Sequence, residues 1–519
     1  MQYDMSRATL FEVSWEVCNK VGGIYAVVSS KALEAVGLFG ENYYLLGPDF
    51  GDNAEFEETD EPCWTRLREI AAQRNLACRF GRWSIPGRPK VILVDYRERY
   101  NQGQLLYALW NRYGVDSISG GWDYVEPVMF STACGEVIEA ACQTLVESDA
   151  PVLAHFHEWM CGGGLLYLKE HAPRVGAVFT THATMLGRSM AGSGFDIYKQ
   201  MNQINPKHEA GAYNITAKCS METVSAREAD CFTTVSRITA DEASVFLGRA
   251  PDVVTPNGLD MRVIPDYSVE RAVPREQRKK LLDAAGRLLR RELAPDTRIF
   301  IISGRYEFHN KGVDVFLDAL AGVNEALCQS QLNVLALCAV MGGHSGVNPD
   351  AVGGDPAKRS DQGPYWISSH HVYNQPQDPI LNACRRLGLD NRPENHVQVV
   401  FVPALLDGGD GFLNMTYDEV LAACDLGVFP SWYEPWGYTP QESAAHSVPT
   451  VTTDLSGFGL WVRELQGQEG GVTILHRQQT SYEDTVAALR GVLLDYGALP
   501  EAQLEERRVA VRSLSGACS

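Results

Sequence analysis

Several patterns that mark other classes of protein are missing from this chain of 519 residues. Its 13 cysteines are odd in number and form no CxxC pair, which favours reduced thiols over a disulfide framework. The longest apolar runs are too short to span a membrane, and the N-terminal stretch MQYDMSRATLFEV lacks the apolar core of a signal peptide. These absences predict a cytoplasmic protein that does not cross a membrane.

Basic charge and metal-binding motifs are also scarce. With 65 acidic against 45 basic residues the net charge is −20, and such a surface repels nucleic acid and anionic membranes. No Asp-x-Asp pair and no HExxH motif occurs, and His155 and His157 lack a further ligand at the usual spacing. We therefore predict no metal and interpret these two histidines as structural. A phosphate-bearing ligand would need a local basic pocket.

What the chain does contain is an alternation of short apolar strands and amphipathic helices, which predicts an α/β fold with doubly wound parallel sheets. Its length exceeds a single core, and the polar stretch near 259–274 suits a boundary between domains 1–262 and 263–519. The predicted strands are 9–14, 43–47, 90–94, 151–156, 177–181, 231–235, 298–303, 397–401, 427–430 and 450–453. The predicted helices are 24–36, 127–147, 275–293, 379–387 and 418–423, with others beginning at 313 and 482. The Gly- and Asp-rich segment 341–365 is predicted to be a mobile loop.

Polar residues follow several of these strands, where doubly wound sheets bind their ligands. Lys20 stands beside Gly22 and Gly23 in a strand-turn-helix pattern, which is typical either of a phosphate site or of a plain turn. His182 ends another strand with Arg188 close behind, and it is the strongest candidate among the histidines.

The strand 298–303 leads into Arg305 and Lys311. Unpaired charges at the end of a core strand are costly, so these two cations predict an anionic partner.

The stretch GVFPSWYEPWGYTPQES, residues 427–443, has the most unusual mixture of residues. A short strand breaks into an aromatic loop, and a helix is predicted from about Pro440, with Thr439 as N-cap and Glu442 completing a capping box. Glu434 lies on the loop. The stretch therefore predicts exposed aromatic rings, two carboxylates and a helix N-terminus that can bind phosphate.

Together these residues resemble the glycogen synthases of the animal and fungal type, glycosyltransferase family three. The resemblance rests on LFEVSWEVCNKVGGIYAVVSSKA, AHFHEW, FTTHATMLGR, ADCFTTVSRITADEA, TPNGL, GRYEFHNKGVDVFLDAL, DPIL and the stretch from GVFPSWYEPWGYTPQES to LSGFG. It implies two Rossmann-like domains facing across a cleft, the GT-B type. It also implies retaining transfer of glucose from UDP-glucose to the non-reducing end of an α-1,4-glucan, without a metal or another cofactor.

The resemblance further implies a role for each motif residue. Glu434 would support the transition state at the reacting sugar, and Arg305 and Lys311 would neutralise the UDP leaving group. His182, through its backbone carbonyl, and Arg188 would border the glucose. The other residues implied to contact substrate are Lys20, Gly22 and Gly23 near the phosphates; Glu158, Trp159 and Asn257 in the cleft; Tyr417 against the uracil; Trp436, Gly437, Tyr438 and Thr439 near the phosphate; and Glu442 at the ribose.

The chain also departs from the family pattern. The segment 341–365 is too short for the family's long helical insert, and Leu405 stands where an aromatic residue is expected. The stretch LEERRVAVR at 504–512 has few arginines, which predicts little activation by glucose 6-phosphate, and the final crossover helices are expected to be missing. Three alternatives stay open: an ADP-glucose-dependent glucan synthase, a glycoside hydrolase using a carboxylate pair, and an inactive glucan-binding homologue. Homo-oligomer formation also stays open.

Overall fold

The computed structural model describes residues 5–53, 55–147, 149–266, 272–329, 332–353, 366–465 and 470–517. The chain forms two compact units, Met1–Leu259 and Asp260–Ser519. None of the helices in these ranges combines the length and apolarity needed to cross a membrane. The cysteines within the same ranges are all free thiols.

The first unit is built on a nine-stranded sheet in the order β3-β4-β5-β2-β1-β6-β7-β8-β9. Only β3 and β4 run antiparallel to their neighbours. The central strands are largely buried, as expected of a parallel sheet with helices on both faces, although β1 and β6 carry the polar residues Glu12, His155 and His157. The strands are β1 Thr9–Val13, β2 Tyr43–Pro48, β3 Phe56–Glu58, β4 Ala77–Trp83, β5 Lys90–Asp95, β6 Val152–His157, β7 Gly176–Thr181, β8 Cys231–Thr234 and β9 Val253–Val254.

Several helices of this unit begin where a side chain caps their free amides. Asn101, Thr184 and Ser236 each accept a hydrogen bond from the amide three residues on. The helices are α1 Gly23–Phe39, α2 Trp64–Gln73, α3 Gln102–Tyr113, α4 Trp122–Cys142, α5 Gly162–His171, α6 Met185–Gly192, α7 Ile197–Gln200, α8 Pro206–Ala212, α9 Thr216–Glu228 and α10 Arg237–Phe246. The predicted start of α4 at Pro127 is wrong, since that proline lies inside the helix.

The second unit contains a six-stranded parallel sheet in the order β14-β11-β10-β15-β16-β17. Its strands are β10 Arg298–Arg305, β11 Val334–Met341, β14 Val397–Phe401, β15 Leu426–Val428, β16 Thr450–Thr453 and β17 Val472–Leu475, and a separate hairpin pairs β12 His344–Val347 with β13 His370–Val372. Its helices are α11 Ala272–Leu289, α12 Val313–Ala326, α13 Pro349–Val352, α14 Pro379–Leu387, α15 Tyr417–Ala423, α16 Tyr438–Ala445, α17 Gly457–Glu464, α18 Tyr482–Ala498 and α19 Glu501–Gly516.

The hairpin corrects one prediction. Residues 341–353, predicted as loop, contain β12 and α13, because Asn348 caps α13 and β12 finds a partner strand more than twenty residues later in the chain. The remainder of that predicted loop, 354–365, lies outside the described residues. The predicted α/β class with parallel sheets is confirmed.

Each sheet has one point at which the strand order reverses, and ligands of doubly wound sheets bind there. In the first unit the chain leaves β1 toward β2 on one side, while β6 pairs with β1 on the other. In the second unit β10 has β11 on one side and β15 on the other. A ligand is therefore expected beside the residues at the ends of these strands and just after them.

Candidate active site

At the reversal point of the first sheet, three side chains form a continuous hydrogen-bonded chain. Oε1 of Glu12, on β1, lies 2.6 Å from Nε2 of His157 at the end of β6. Nδ1 of His157 lies 2.9 Å from Nε2 of His182, which follows β7. Glu12 and His157 are buried, whereas His182 is partly exposed. The chain therefore links the interior of the sheet to its carboxyl edge.

Glu12 is held as an anion by its surroundings. Burial opposes its charged form, but the Lys31 charge and the hydrogen bond from His157 outweigh burial and hold the pKa of Glu12 well below the usual range. Lys31 Nζ lies 2.5 Å from Oε1, and the Tyr43 hydroxyl donates to Oε2 over 2.5 Å. Burial lowers the pKa of His155, His157 and His182, so the imidazoles are neutral.

The same place offers a geometrically acceptable set of metal ligands. Ligand atoms of Glu12, His155 and His157 lie within 4.8 Å of one another. However, the Lys31 ammonium already contacts the Glu12 carboxylate, so the cation at this position belongs to the protein itself. We assign no metal to it.

Three buried carboxylates hold the turn of residues 181–185, which carries His182. Glu158 accepts from the amides of His182 and Ala183 at 2.8 and 3.2 Å. Glu222 accepts from the Thr181 hydroxyl at 2.7 Å and from the Met185 amide at 3.0 Å, and Glu242 accepts from the Thr184 hydroxyl at 2.8 Å. Burial raises the pKa of Glu158 and of Glu222, while Arg188 opposes the rise at Glu158. Every residue of this turn is thus fixed by the carboxyl group of a buried glutamate.

The glycine-rich turn before α1 already holds an anion of its own. Oε2 of the buried Glu16 accepts from the amides of Gly22 at 2.7 Å and of Tyr25 at 2.9 Å. Lys20 is exposed and lies over the Tyr25 ring, 5.4 Å from its centroid. The Gly22 amide is therefore engaged, although Lys20, Gly22 and Gly23 of the predicted phosphate site are all exposed.

Two further predicted residues of the first unit lie in its interior. The Trp159 ring stacks on Tyr124 with a centroid distance of 5.9 Å, and the Lys218 ammonium lies over the Trp159 ring, 5.4 Å from its centroid. Asn257 is buried shortly after β9. Trp159 consequently supports the core and does not present an open stacking surface.

At the reversal point of the second sheet, the residues after β10 and β15 meet. Lys311 Nζ lies 2.5 Å from Oε2 of Glu434, and the Ser431 hydroxyl lies 3.4 Å from the same oxygen. Arg305 is about half exposed and pairs with Glu307 at 2.9 Å. The premise that these two cations are unpaired is therefore wrong, because each has a carboxylate partner.

The two loops that carry Lys311 and Glu434 are joined through their backbones. The Asn310 carbonyl accepts from the amides of Trp432 and Tyr433 at 2.8 and 3.3 Å. The buried Arg477 donates to the Pro430 carbonyl, and its guanidinium lies 5.2 Å from the Trp432 ring centroid. Burial lowers the pKa of Arg477 to about 10. These contacts fix the loop just before Glu434.

The helix after this loop begins earlier than predicted. Gly437 has a φ of +112° and is the N-cap of α16, and no side chain caps the helix. Thr439 is then the second helical residue, so the predicted capping box of Thr439 and Glu442 is wrong. The ring of Trp436 is buried and donates to Gln441 at 2.8 Å, and Tyr433 is also buried, so these two aromatics are not exposed as predicted.

The start of α16 nevertheless lies close to Lys311 and to Gly304 at the end of β10. From the position that a Cβ on Gly304 would take, Lys311 Cε is 3.8 Å away and the Thr439 methyl group 3.9 Å. The Tyr417 hydroxyl is 2.7 Å from that of Ser303, the residue before Gly304, and the charge of Glu442 acts on Tyr417. Leu405 is 58% exposed. The second unit therefore gathers a carboxylate, an ammonium, a tyrosine and a helix N-terminus at one edge.

Comparison with known proteins decides the family. The family model described as glycogen synthase matches residues 12–349 and 357–516. The chain is 32% identical to the liver glycogen [starch] synthase of Rattus norvegicus, over 94% of this chain and 77% of the relative. It is 31% identical to the glycogen [starch] synthase of Neurospora crassa, over 98% of this chain and 80% of the relative. The chain belongs to the glycogen synthase family.

As a member of the glycogen synthase family, the chain is a glycosyltransferase. The solved catalytic domain of starch synthase IV from Arabidopsis thaliana, bound to ADP and acarbose, has the same fold. The TM-score is 0.57 at 11% identity, over 98% of this chain and 95% of that one. The predicted GT-B type of fold is confirmed.

Within this glycogen synthase fold, sequence reasoning missed several residues that position the site. They are Glu12, Glu16, Lys31, Glu222, Glu242 and Arg477. Glu16 and Glu12 lie inside the motif LFEVSWEVCNKVGG. An acidic residue among positions predicted to be buried could have indicated that its carboxylate accepts hydrogen bonds within the protein. Glu222 and Glu242 lie on helices, where an acid is ordinarily read as solvent-facing, although both are fully buried.

Proposed function

We propose that the chain transfers glucose from UDP-glucose to the non-reducing end of an α-1,4-glucan, with retention of configuration and without a metal ion. The observation that carries the proposal is the pair of Lys311 and Glu434, 2.5 Å apart at the reversal point of the second sheet. Doubly wound sheets bind nucleotides at this point. The site therefore offers one cation and one carboxylate where a nucleotide sugar is expected.

The two charges suit the two halves of a breaking glycosidic bond. As the bond from sugar C1 to the diphosphate lengthens, negative charge develops on phosphate and positive charge on the sugar. Lys311, together with Arg305, stabilises the first, and Glu434 stabilises the second. One charge pair at ~4 Å is worth about 4 kcal/mol at an effective dielectric of ~20. The acceptor hydroxyl attacks C1 on the face that the phosphate leaves, and the departing phosphate oxygen takes its proton.

Protein cations replace a metal in this proposal. The sequence has no Asp-x-Asp pair that would clamp a divalent ion, while Arg305 ends β10 and Lys311 lies in the loop after it. The Arg305 guanidinium and the Lys311 ammonium supply the positive charge that such an ion would supply.

The nucleotide is assigned to the edge formed by Tyr417 and α16. The Tyr417 hydroxyl is anchored to Ser303, which fixes the ring as a surface for a base. The first turn of α16 offers amides to phosphate, with Tyr438 and Thr439 beside them. Glu442, released from the predicted capping role, is assigned to the ribose hydroxyls. His182 and Arg188 of the first unit are assigned to the glucose.

Incorporation of labelled glucose into glycogen tests the proposal. We expect incorporation from UDP-glucose in preference to ADP-glucose, unchanged by a chelator, and reduced about 10²–10³-fold in Glu434→Ala. The matched variant Glu483→Ala, at an exposed position of α18, is expected to behave as wild type.

Each alternative has its own outcome. Preference for ADP-glucose would identify the chain as an ADP-glucose-dependent glucan synthase. Release of free glucose from glycogen without nucleotide would indicate a hydrolase. Binding of glycogen without any incorporation would indicate an inactive homologue.

A further inference from the structure

His182 lies at the end of a chain of hydrogen bonds whose polarity can be worked out atom by atom. The chain runs from Oε1 of Glu12 to Nε2 of His157 over 2.6 Å, and from Nδ1 of His157 to Nε2 of His182 over 2.9 Å. The His157 ring uses one nitrogen toward Glu12 and the other toward His182, so the position of its proton dictates that on His182. The first link therefore decides what the last ring presents.

The first link is fixed by the charge of Glu12. Lys31 Nζ and the Tyr43 hydroxyl both donate to this carboxylate, each over 2.5 Å. A carboxylate that already accepts from an ammonium and a phenol has only lone pairs to offer. Nε2 of His157 must therefore carry a hydrogen and donate it to Glu12.

The second link depends on whether His157 is neutral. Its ring faces His155, whose centroid is 4.2 Å away, and the Lys31 charge also acts on it. Lys31 neutralises Glu12 through the same oxygen that His157 contacts, so a second cation at His157 gains little. A neutral His157 with hydrogen on Nε2 has a bare Nδ1, which accepts from Nε2 of His182.

We propose that Glu12, Lys31 and His157 are positioning residues that fix His182 as the Nε2–H tautomer, so that its bare Nδ1 accepts a hydrogen from a hydroxyl of the transferred sugar. The sugar rests on the proposed function, whereas the tautomer does not. His182 is in consequence a hydrogen-bond acceptor and not a general acid. This suits a reaction in which the leaving phosphate itself takes the acceptor's proton.

Lys31 is the residue that selects this polarity. If His157 were an imidazolium, it would donate from both nitrogens, and His182 would become the Nδ1–H tautomer with the same heavy-atom positions. Removal of the Lys31 ammonium leaves Glu12 in need of a cation, and His157 is the nearest group that can supply one. Lys31→Met is therefore expected to reverse the polarity of the whole chain.

Histidine ring nitrogens report this directly. The full-length protein, labelled with ¹⁵N in its 12 histidines, is studied by long-range ¹H–¹⁵N correlation near neutral pH. His157→Gln and His182→Gln identify the two rings. We expect hydrogen on Nε2 alone for both rings in the wild type, and an imidazolium at His157 in Lys31→Met. Hydrogen on Nδ1 of His182 in the wild type would overturn the proposal.

Three variants separate charge from folding. Lys31→Arg keeps a cation and is expected to keep the wild-type nitrogen pattern. Lys169→Met removes a lysine that also pairs with a carboxylate and is 28% exposed, close to the 36% of Lys31, and should leave both rings unchanged. A Lys31→Met protein with a wild-type nitrogen pattern would also overturn the proposal.

Glucose transfer gives a second readout. We expect Lys31→Met to lower kcat about tenfold, the loss of one hydrogen bond to the substrate, and Lys31→Arg to restore it. The wild type could show the expected nitrogen pattern and yet transfer glucose from no nucleotide sugar. That result would contradict the proposed function but would leave the tautomer assignment intact. Wild-type transfer by Lys31→Met with a reversed pattern would refute the role of Nδ1.

Discussion

The pair of Lys311 and Glu434 predicts opposite behaviour of stability and activity in a double-mutant cycle. Lys311→Met removes the ammonium 2.5 Å from Glu434 and leaves a carboxylate whose side chain is only 10% exposed. Breaking a buried pair on one side costs roughly 3–5 kcal/mol. Because both side chains keep some exposure and the Ser431 hydroxyl is near, we expect about 2–3 kcal/mol here.

The double variant Lys311→Met/Glu434→Gln removes both charges. No uncompensated carboxylate is left, so most of the lost stability should return, to within about 1 kcal/mol of wild type. Activity should not return, because the cation that stabilises the leaving diphosphate is still missing. An interaction of about 4 kcal/mol corresponds to a drop in kcat of about 10³-fold.

Stability is measured as the shift of the urea unfolding midpoint, and activity as glucose incorporation from UDP-glucose. Lys279→Met on α11 is the matched control, since its pair with Asp283 is exposed and its removal should change stability by no more than about 0.5 kcal/mol. A double variant as unstable as Lys311→Met would show that the pair does not act as an ion pair. Full activity of Lys311→Met would remove its assigned role.

Other changes act on the turn after β7, on the start of α16 and on α19. Burial raises the pKa of Glu158 to about 7 and of Glu222 to about 8, from 4.5, so the folded protein binds these protons more tightly than the unfolded chain. Stability should fall as pH rises from about 5 to about 8, and less steeply in Glu222→Gln, as measured by Tm. Gly437→Ala would place a Cβ 2.8 Å from the Ser456 hydroxyl at a φ of +112° and should cost about 1–3 kcal/mol in urea unfolding. Arg512 donates to the Ile264 and Pro265 carbonyls, so Arg512→Ala should lower Tm. Because this arginine is engaged within the protein, glucose 6-phosphate should not raise the wild-type rate of glucose transfer.

Each of these outcomes has a clear opposite. An equal pH slope in Glu222→Gln and wild type would show that Glu222 does not hold the extra proton. Wild-type stability of Gly437→Ala would mean that the left-handed turn is not required. A large rise in rate with glucose 6-phosphate would show that the arginines of α19 are available to an effector.

The parts of the fold that follow from local chemistry could be predicted closely. The strands 397–401 and 450–453 and the helix 379–387 agree with the structure to the residue. Asp378 caps that helix by accepting from the Leu381 amide, and Pro379 starts it, so its signal is complete within four residues.

The start of α16 was predicted wrongly for a physical reason. Thr439 and Glu442 match the spacing of a capping box, but Gly437 adopts a positive φ that other residues rarely take, and the helix starts from it. Local spacing alone does not tell which of two cap signals, two residues apart, the tertiary contacts will favour.

Buried carboxylates escaped sequence reasoning because their partners are distant in the chain. Glu222 contacts Thr181 and Met185, some forty residues earlier, and Glu242 contacts Thr184. An acid on a helix is ordinarily solvated, so the pattern around each gives no hint that it accepts hydrogen bonds from a turn. Only the topology, which brings α9 and α10 against the end of β7, makes them part of the site.

The two sheets place a glutamate and a lysine 2.5 Å apart at their reversal points, yet the pairs differ in what remains free. In the first unit the Glu12 carboxylate is fully buried within β1, although its partner Lys31 on α1 is 36% exposed, and the carboxylate acts through His157 on His182. In the second unit Glu434 and Lys311 lie on loops after their strands and keep partial exposure. A fully buried carboxylate can only orient a neighbour, whereas a carboxylate that keeps some exposure can exchange its partner for a substrate's charge. The same two residue types thus serve positioning in one sheet and chemistry in the other, and depth along the strand makes the difference.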